Sequence, residues 1–167
     1  MKLVLDTNVV IDWLVFDDAF LASFRQQVRA RQIEIVTHTP ALDELCRVLA
    51  YRELKLDAGR QAQVIASYRA QTTDVDGETP AQEPPAQLPQ GFPRCRDPDD
   101  NPFLHLAWRS RANALVSRDK AVLKLARRSR RFGFQIYDVG RMVAELGIVA
   151  ASPVAAPANP PATGTVR

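Results

Sequence analysis

The sequence predicts an α/β fold, a three-layer α/β/α sandwich around a central, mainly parallel sheet. Short apolar runs alternate with longer segments of helical apolar period. Two of those runs, Lys2 to Leu5 and Ala114 to Ser117, lead into an aspartate, Asp6 and Asp119. With 167 residues, one domain of this size buries about 70% of its unfolded surface and needs no disulfide or structural metal to fold.

The first run delivers Asp6-Thr7-Asn8 at the C-terminal edge of a buried strand, where open α/β sheets place their sites. Val9, Val10, Trp13 and Leu14 follow at helical spacing, and Phe16, Phe20, Phe24 and Val28 extend the apolar stripe as core residues. Ile33 to Val36 reads as a second strand. Thr39-Pro40 then reads as an N-cap with proline at the first helical position. That helix turns Leu42, Leu45, Cys46 and Leu49 inward. Glu44 lies beside the stripe, where it is either an ordinary surface glutamate or a carboxylate pointing along the sheet edge.

Asp57 caps a helix over 58–69 with Val64, Ile65 and Tyr68 on its apolar face. Residues 71–95 are rich in proline and read as a surface connection within the domain, with a short strand near Thr73 to Val75. A helix runs from Asp100 through Phe103, Leu104, Leu106, Ala107 and Trp108. The strand Ala114 to Ser117, the helix Lys120 to Ala126, the strand Phe134 to Tyr137 and the helix Asp138 to Leu146 complete a domain over 1–148. The proline-rich, aperiodic stretch 149–167 reads as a disordered tail.

No apolar run approaches the roughly 20 residues that span a bilayer, and Asp6 interrupts the apolar start before a signal-peptide core forms. The two cysteines, Cys46 and Cys95, are too few for a secreted disulfide framework, and Cys46 reads as a buried thiol. A soluble, cytoplasmic protein without a membrane partner is expected. The net charge of +3 leans only slightly toward polyanionic partners.

The chemistry centres on Asp97-Pro98-Asp99-Asp100-Asn101-Pro102. Two carboxylates about 4 Å apart cost on the order of 4 kcal/mol at an effective dielectric near 20, so a fold that gathers several does so to hold a cation or share a proton. The plain alternative is a solvated acidic turn that caps a helix. Asp6 and Asp119 would share the rim of a parallel sheet, with Asp100 at a helix start in between and Glu44 from a neighbouring helix. Such hard oxygen donors select Mg²⁺ or Mn²⁺ over zinc. His38 and His105 are isolated and read as non-ligands.

Four segments carry a resemblance: Leu-Val-Leu-Asp6-Thr7-Asn8, Leu-Asp-Glu44-Leu-Cys-Arg-Val-Leu, Arg-Asp-Pro-Asp-Asp100-Asn-Pro-Phe-Leu-His-Leu-Ala107, and Ala-Leu-Val-Ser117-Arg-Asp119-Lys-Ala. In this order, over about residues 1–146, they resemble the acidic motifs of PIN-domain ribonucleases, in particular the VapC-like toxin components of bacterial toxin-antitoxin systems. The resemblance implies a Mg²⁺- or Mn²⁺-dependent endoribonuclease restrained by a small antitoxin protein and often dimeric. It implies Asp6, Glu44, Asp100 and Asp119 as catalytic metal-binding acids, with Thr7, Asn8 and Ser117 in support and Asp97 as an outer contributor. Arg118, Lys120, Lys124, Arg127 and Arg128, within one helix and its end, are candidates for holding RNA phosphates; a solvated basic helix face is the alternative. Arg118 departs from the family, which often has a small residue there. A catalytically weak module that binds RNA or an antitoxin is a second reading. A haloacid-dehalogenase-like phosphatase is a third, disfavoured because Asn8 stands where that family carries a second aspartate.

Overall fold

The computed structural model describes residues 1–78 and 87–147. Among them are five strands: β1 (Lys2–Leu5), β2 (Glu34–Thr37), β3 (Thr72–Asp74), β4 (Ala114–Val116) and β5 (Gln135–Tyr137). All pair in parallel, in the order β3-β2-β1-β4-β5. The chain builds leftward from β1 and then restarts on its other side, so the gap between β1 and β4 is the topological switch point. Ligands of open α/β sheets bind at such a point, outside the strand C-termini.

Strand side chains alternate between two cores, as a two-residue period requires. Leu3, Leu5, Ile35, Ala114 and Val116 enter one; Val4, Val36, Leu115 and Ile136 enter the other. On the first face lie α1 (Thr7–Leu14), α2 (Ala22–Arg29), most of α3 (Thr39–Leu49) and α4 (Ala58–Ala70). After α5 (Val75–Glu78), helix α6 (Asn101–Arg109) and the short α7 (Lys120–Leu123) and α8 (Ala126–Ser129) cover the second face; α9 (Val139–Glu145) returns to the first. This is the expected three-layer sandwich.

Several local expectations are corrected. Phe16 and Phe20 are 62% and 42% exposed, because α1 ends at Leu14 and Asp17 takes a left-handed conformation that turns the chain out of helical register. Cys46 is exposed, whereas Cys95 is buried. The basic segment is two short helices, not one. Leu125 and Arg128 each donate to the carbonyl three residues back, the tighter bonding of a 3₁₀ turn. At the described ends of the expected connection, Thr72–Asp74 is the edge strand, and Phe92 is buried among the rings of His105, Trp108, Phe132 and Phe134. The tail expected over 149–167 lies outside the described residues.

The cap of α3 is His38, not Thr39. His38 Nδ1 accepts from the Ala41 N–H at 3.3 Å, which requires the neutral ring with its proton on Nε2. Burial is the main cause that lowers the His38 pKa; Arg109 adds to it, while Asp76 and Asp74 oppose. With the folded value below the unfolded one, about 6.5, this contribution is complete above that pH and is lost as the pH falls through the window beneath it. His38→Ala is expected to cost about 1 kcal/mol at pH 7.5, the worth of an N-cap, and to flatten the acid side of a stability-pH curve measured by urea unfolding. An unchanged slope would refute this role.

Candidate functional site

Each candidate acid arises at the end of an element. Asp6 follows β1 directly, and its backbone N–H bonds Val116 O at 2.9 Å, which extends the β1–β4 pairing to the rim. Its side chain is only 3% exposed. The Ser117 hydroxyl donates to Asp6 Oδ2 at 2.5 Å and accepts from the Asp119 N–H at 2.9 Å. One hydroxyl therefore fixes both aspartates across the switch point. Asp119 begins α7, and its Oδ1 accepts from the Ala121 and Val122 N–H groups; its other oxygen makes no such bond.

Asp100 ends a 3₁₀ turn (Pro98–Asp100) and precedes α6 without a capping bond of its own. Its two acidic neighbours are committed elsewhere. Asp97 Oδ1 accepts from the Asp99 N–H at 3.0 Å, and Asp99 pairs with Arg47 on α3 at 3.1 Å. Glu44, on the same helix as Arg47, is half-buried and not a free surface glutamate.

Electrostatics ties the acids together. Burial is the largest cause that raises the Asp6 carboxyl above the ordinary range; Ser117 opposes it, and the charges of Asp100 and Asp119 reinforce it. Glu44 is raised by burial and then by Asp6 and Asp100, with Thr7 and Arg47 opposing. Asp100 is raised by burial, opposed by the Cys95 thiol and raised again by Asp119, Asp97 and Asp99. The fold thus concentrates negative charge at one rim, offset at Glu44 by Arg47, which is itself paired with Asp99. Buried Thr7 directs its hydroxyl toward Glu44 and opposes the rise of that carboxyl, although the contact falls short of full hydrogen-bond geometry.

Among the described residues, no three His, Cys, Asp or Glu side chains stand close enough to enclose a metal ion. That spacing still suits the donor chemistry of Mg²⁺, which is held by one or two carboxylates and retains several waters instead of filling an all-protein cage. Hard, mutually repelling oxygen donors, one of them the buried Asp6 carboxylate, fit a divalent cation.

The remaining candidates separate. Asn8 is exposed at the start of α1. Lys120, Lys124, Arg127 and Arg128 are exposed; Lys120 directly follows Asp119, whereas Arg128 donates to Gly91 O at 3.4 Å. Arg118 is instead held by ion pairs to Asp12 and Asp18, contacts about a hundred residues away in sequence and invisible to local pattern. Two shallow clefts flank the rim. One, about 370 Å³, is lined by Glu44, Arg47, Asp99 and Pro102; the other, about 360 Å³, by Asn8, Ile11, Phe16, Tyr51 and Arg118. A larger cavity of about 540 Å³ lies at the opposite, N-terminal edge of β2 and β3, away from the acids.

An open parallel α/β sheet binds its ligands in the crevice at the switch point, and here Asp6 and Asp119 are paired across it. The PIN domain family model matches residues 2–121. The chain belongs to the PIN domain family, whose members are typically nucleases that bind RNA and generally use divalent metal ions. No curated protein and no solved structure matches the chain. No helix among the described residues is long and apolar enough to cross a membrane.

Proposed function

We propose that this protein is a Mg²⁺- or Mn²⁺-dependent endoribonuclease that hydrolyses RNA phosphodiesters, the cytoplasmic toxin component of a toxin-antitoxin pair of the VapC-like branch. The observation that carries this reading is the gathering of acids at the switch point: one Ser117 hydroxyl bridges Asp6 and Asp119, and the charge of Asp100 bears on both Asp6 and Glu44. Asp6, with one of Glu44, Asp100 and Asp119, would hold the ion, and the remaining acids would act on it through its waters. When bound, it supplies positive charge for the transition state and a lowered water pKa. Ser117 keeps Asp6 and Asp119 in register, and the Thr7 hydroxyl supports the Glu44 carboxylate. Lys120, Lys124, Arg127 and Arg128 attract the phosphates of the strand, while Arg118 has much of its charge compensated by Asp12 and Asp18. In this reading a small antitoxin protein is the restraining partner, and the homodimer common in the family is the assembly.

A second reading, a catalytically weak module that binds RNA or an antitoxin, draws on the open spacing of the acids among the described residues. Incubation of the full chain with structured and unstructured RNA, with and without Mn²⁺, separates the two. Mn²⁺-dependent cleavage that disappears in the Asp6→Asn, Asp100→Asn double variant supports the nuclease. Equal cleavage by both proteins contradicts it, and RNA affinity without turnover in the wild type favours the second reading.

A further inference from the structure

Among the described residues, Asp100 is the one of the three acids in the turn before α6 whose carboxylate receives a hydrogen bond from an uncharged side chain. The Cys95 thiol lies 3.0 Å from Asp100 Oδ2. Cys95 is 8% exposed and packs in the second core with Phe92 and Phe103. Its backbone is fixed from the same helix start: the Cys95 N–H donates to Asn101 Oδ1 at 2.9 Å, and Asn101 Nδ2 faces the carbonyls of Cys95 and Asp97 at 3.4 and 3.2 Å. Asn101 thereby closes the loop 95–100 upon itself and holds the thiol against the carboxylate.

The chemistry of the donor matters. A lysine or arginine there would neutralise Asp100 and compete with a cation, as Arg47 does at Asp99. A thiol is a weak donor without charge. It restricts rotation of the carboxylate and leaves its negative charge and its other oxygen for a ligand. Partners that orient metal-binding side chains in this way are as much a part of a metal site as the ligands.

We infer that Cys95 is a positioning residue of the carboxylate centre, its thiol orienting Asp100 and Asn101 bracing the thiol. The inference rests on the metal-dependent reading above. It assigns Asn101 a part in the site as well, through the loop and not by contact with the ion. Substituting Asp100 itself would not separate orientation from ligation; substituting Cys95 does.

The test is Mn²⁺ binding to the full chain without RNA, followed by electron paramagnetic resonance of the free ion, with thermal unfolding as the check on folding. Cys95→Ala should bind Mn²⁺ about tenfold more weakly, the lower range for loss of an outer-shell partner. Cys95→Val, which also lacks a donor but fills more of the space, should share that defect, and Cys95→Ser, which keeps one, should recover wild-type affinity. With RNA and saturating substrate, kcat should follow the Mn²⁺ affinity while KM for RNA stays unchanged. Should Cys95→Ala not fold, the Val and Ser pair decides. Wild-type affinity in the donor-free variants, or a Ser variant as weak as Val, overturns the inference alone. A wild-type chain that binds no Mn²⁺ overturns it together with the proposed function.

Discussion

Asp6→Asn is expected to lose RNA cleavage by at least about 10²-fold, the loss that follows removal of one preorganised electrostatic contact in an active site, while making the metal-free protein more stable. Both effects have one cause. Asp6 is a carboxylate 3% exposed, with burial and two neighbouring acids raising its pKa. Asparagine keeps an oxygen that can accept from Ser117 and removes the charge. For an acid whose folded pKa lies above its unfolded one, the charged form destabilises the fold above the folded pKa, and that cost vanishes as the pH falls through it toward the unfolded value. Metal-free wild type should therefore gain stability from its acidic rim on mild acidification, and Asp6→Asn should gain less. At neutral pH the variant should be more stable by about 0.5–2 kcal/mol, within the usual range for relief of a functional compromise, or about 2–4 °C in Tm per kcal/mol for a domain of this size. Calorimetry in chelator checks the stability arm. A variant no more stable than wild type would show that the repulsion is already relieved in the folded protein.

The second large effect is stabilisation by the ion. An ion that binds the folded chain at a hundred times its dissociation constant adds about 2.7 kcal/mol, which corresponds to about 5–10 °C. Wild type should show this rise with Mn²⁺ and lose it with chelator; the Asp6→Asn, Asp100→Asn double variant should show little of it. Because Asp6, Glu44 and Asp100 all have raised pKa values, protons compete with the ion, and the rise should shrink on acidification. Its pH dependence, followed by thermal unfolding at fixed Mn²⁺, distinguishes a carboxylate site from general salt stabilisation, which would persist in the double variant.

How far these expectations were legible in the chain itself depends on the range of the contacts involved. Asp6 and Asp119 could be placed on one rim because each ends an apolar run, and parallel strands align their C-terminal ends. Local spacing also supplied Asp57 as the cap of α4, which the Asp57 Oδ1 contact to the Arg60 N–H at 2.7 Å matches. What local spacing could not supply were partners chosen by tertiary packing. The Arg118 pairs with Asp12 and Asp18, the Ser117 bond to Asp6 and the Arg47 pair with Asp99 all join distant segments. The apolar stripe from Phe16 to Val28 failed at Asp17, because periodicity carries no information about a left-handed residue that breaks the register. His38 was passed over as a cap because serine, threonine, aspartate and asparagine dominate that role. Cys46 is exposed for a related reason: a helical pattern marks a face, and Cys46 lies just outside the buried one.

The acidic turn before α6 acquires a division of labour from these contacts. Asp97 shapes the turn, Asp99 fastens it to α3 through Arg47, and Asp100 is left to face the charge of the other acids. The same tie brings the helix that carries Glu44 to the turn that carries Asp100, so two elements far apart in sequence deliver their carboxylates together.

The most direct measurement is anomalous diffraction from a crystal of the full chain soaked in Mn²⁺. The account predicts a peak at the C-terminal rim between β1 and β4, with oxygens of Asp6 and at least one of Glu44, Asp100 and Asp119 around it. A peak elsewhere, or carboxylates at that rim that stay unliganded at saturating Mn²⁺, would contradict it.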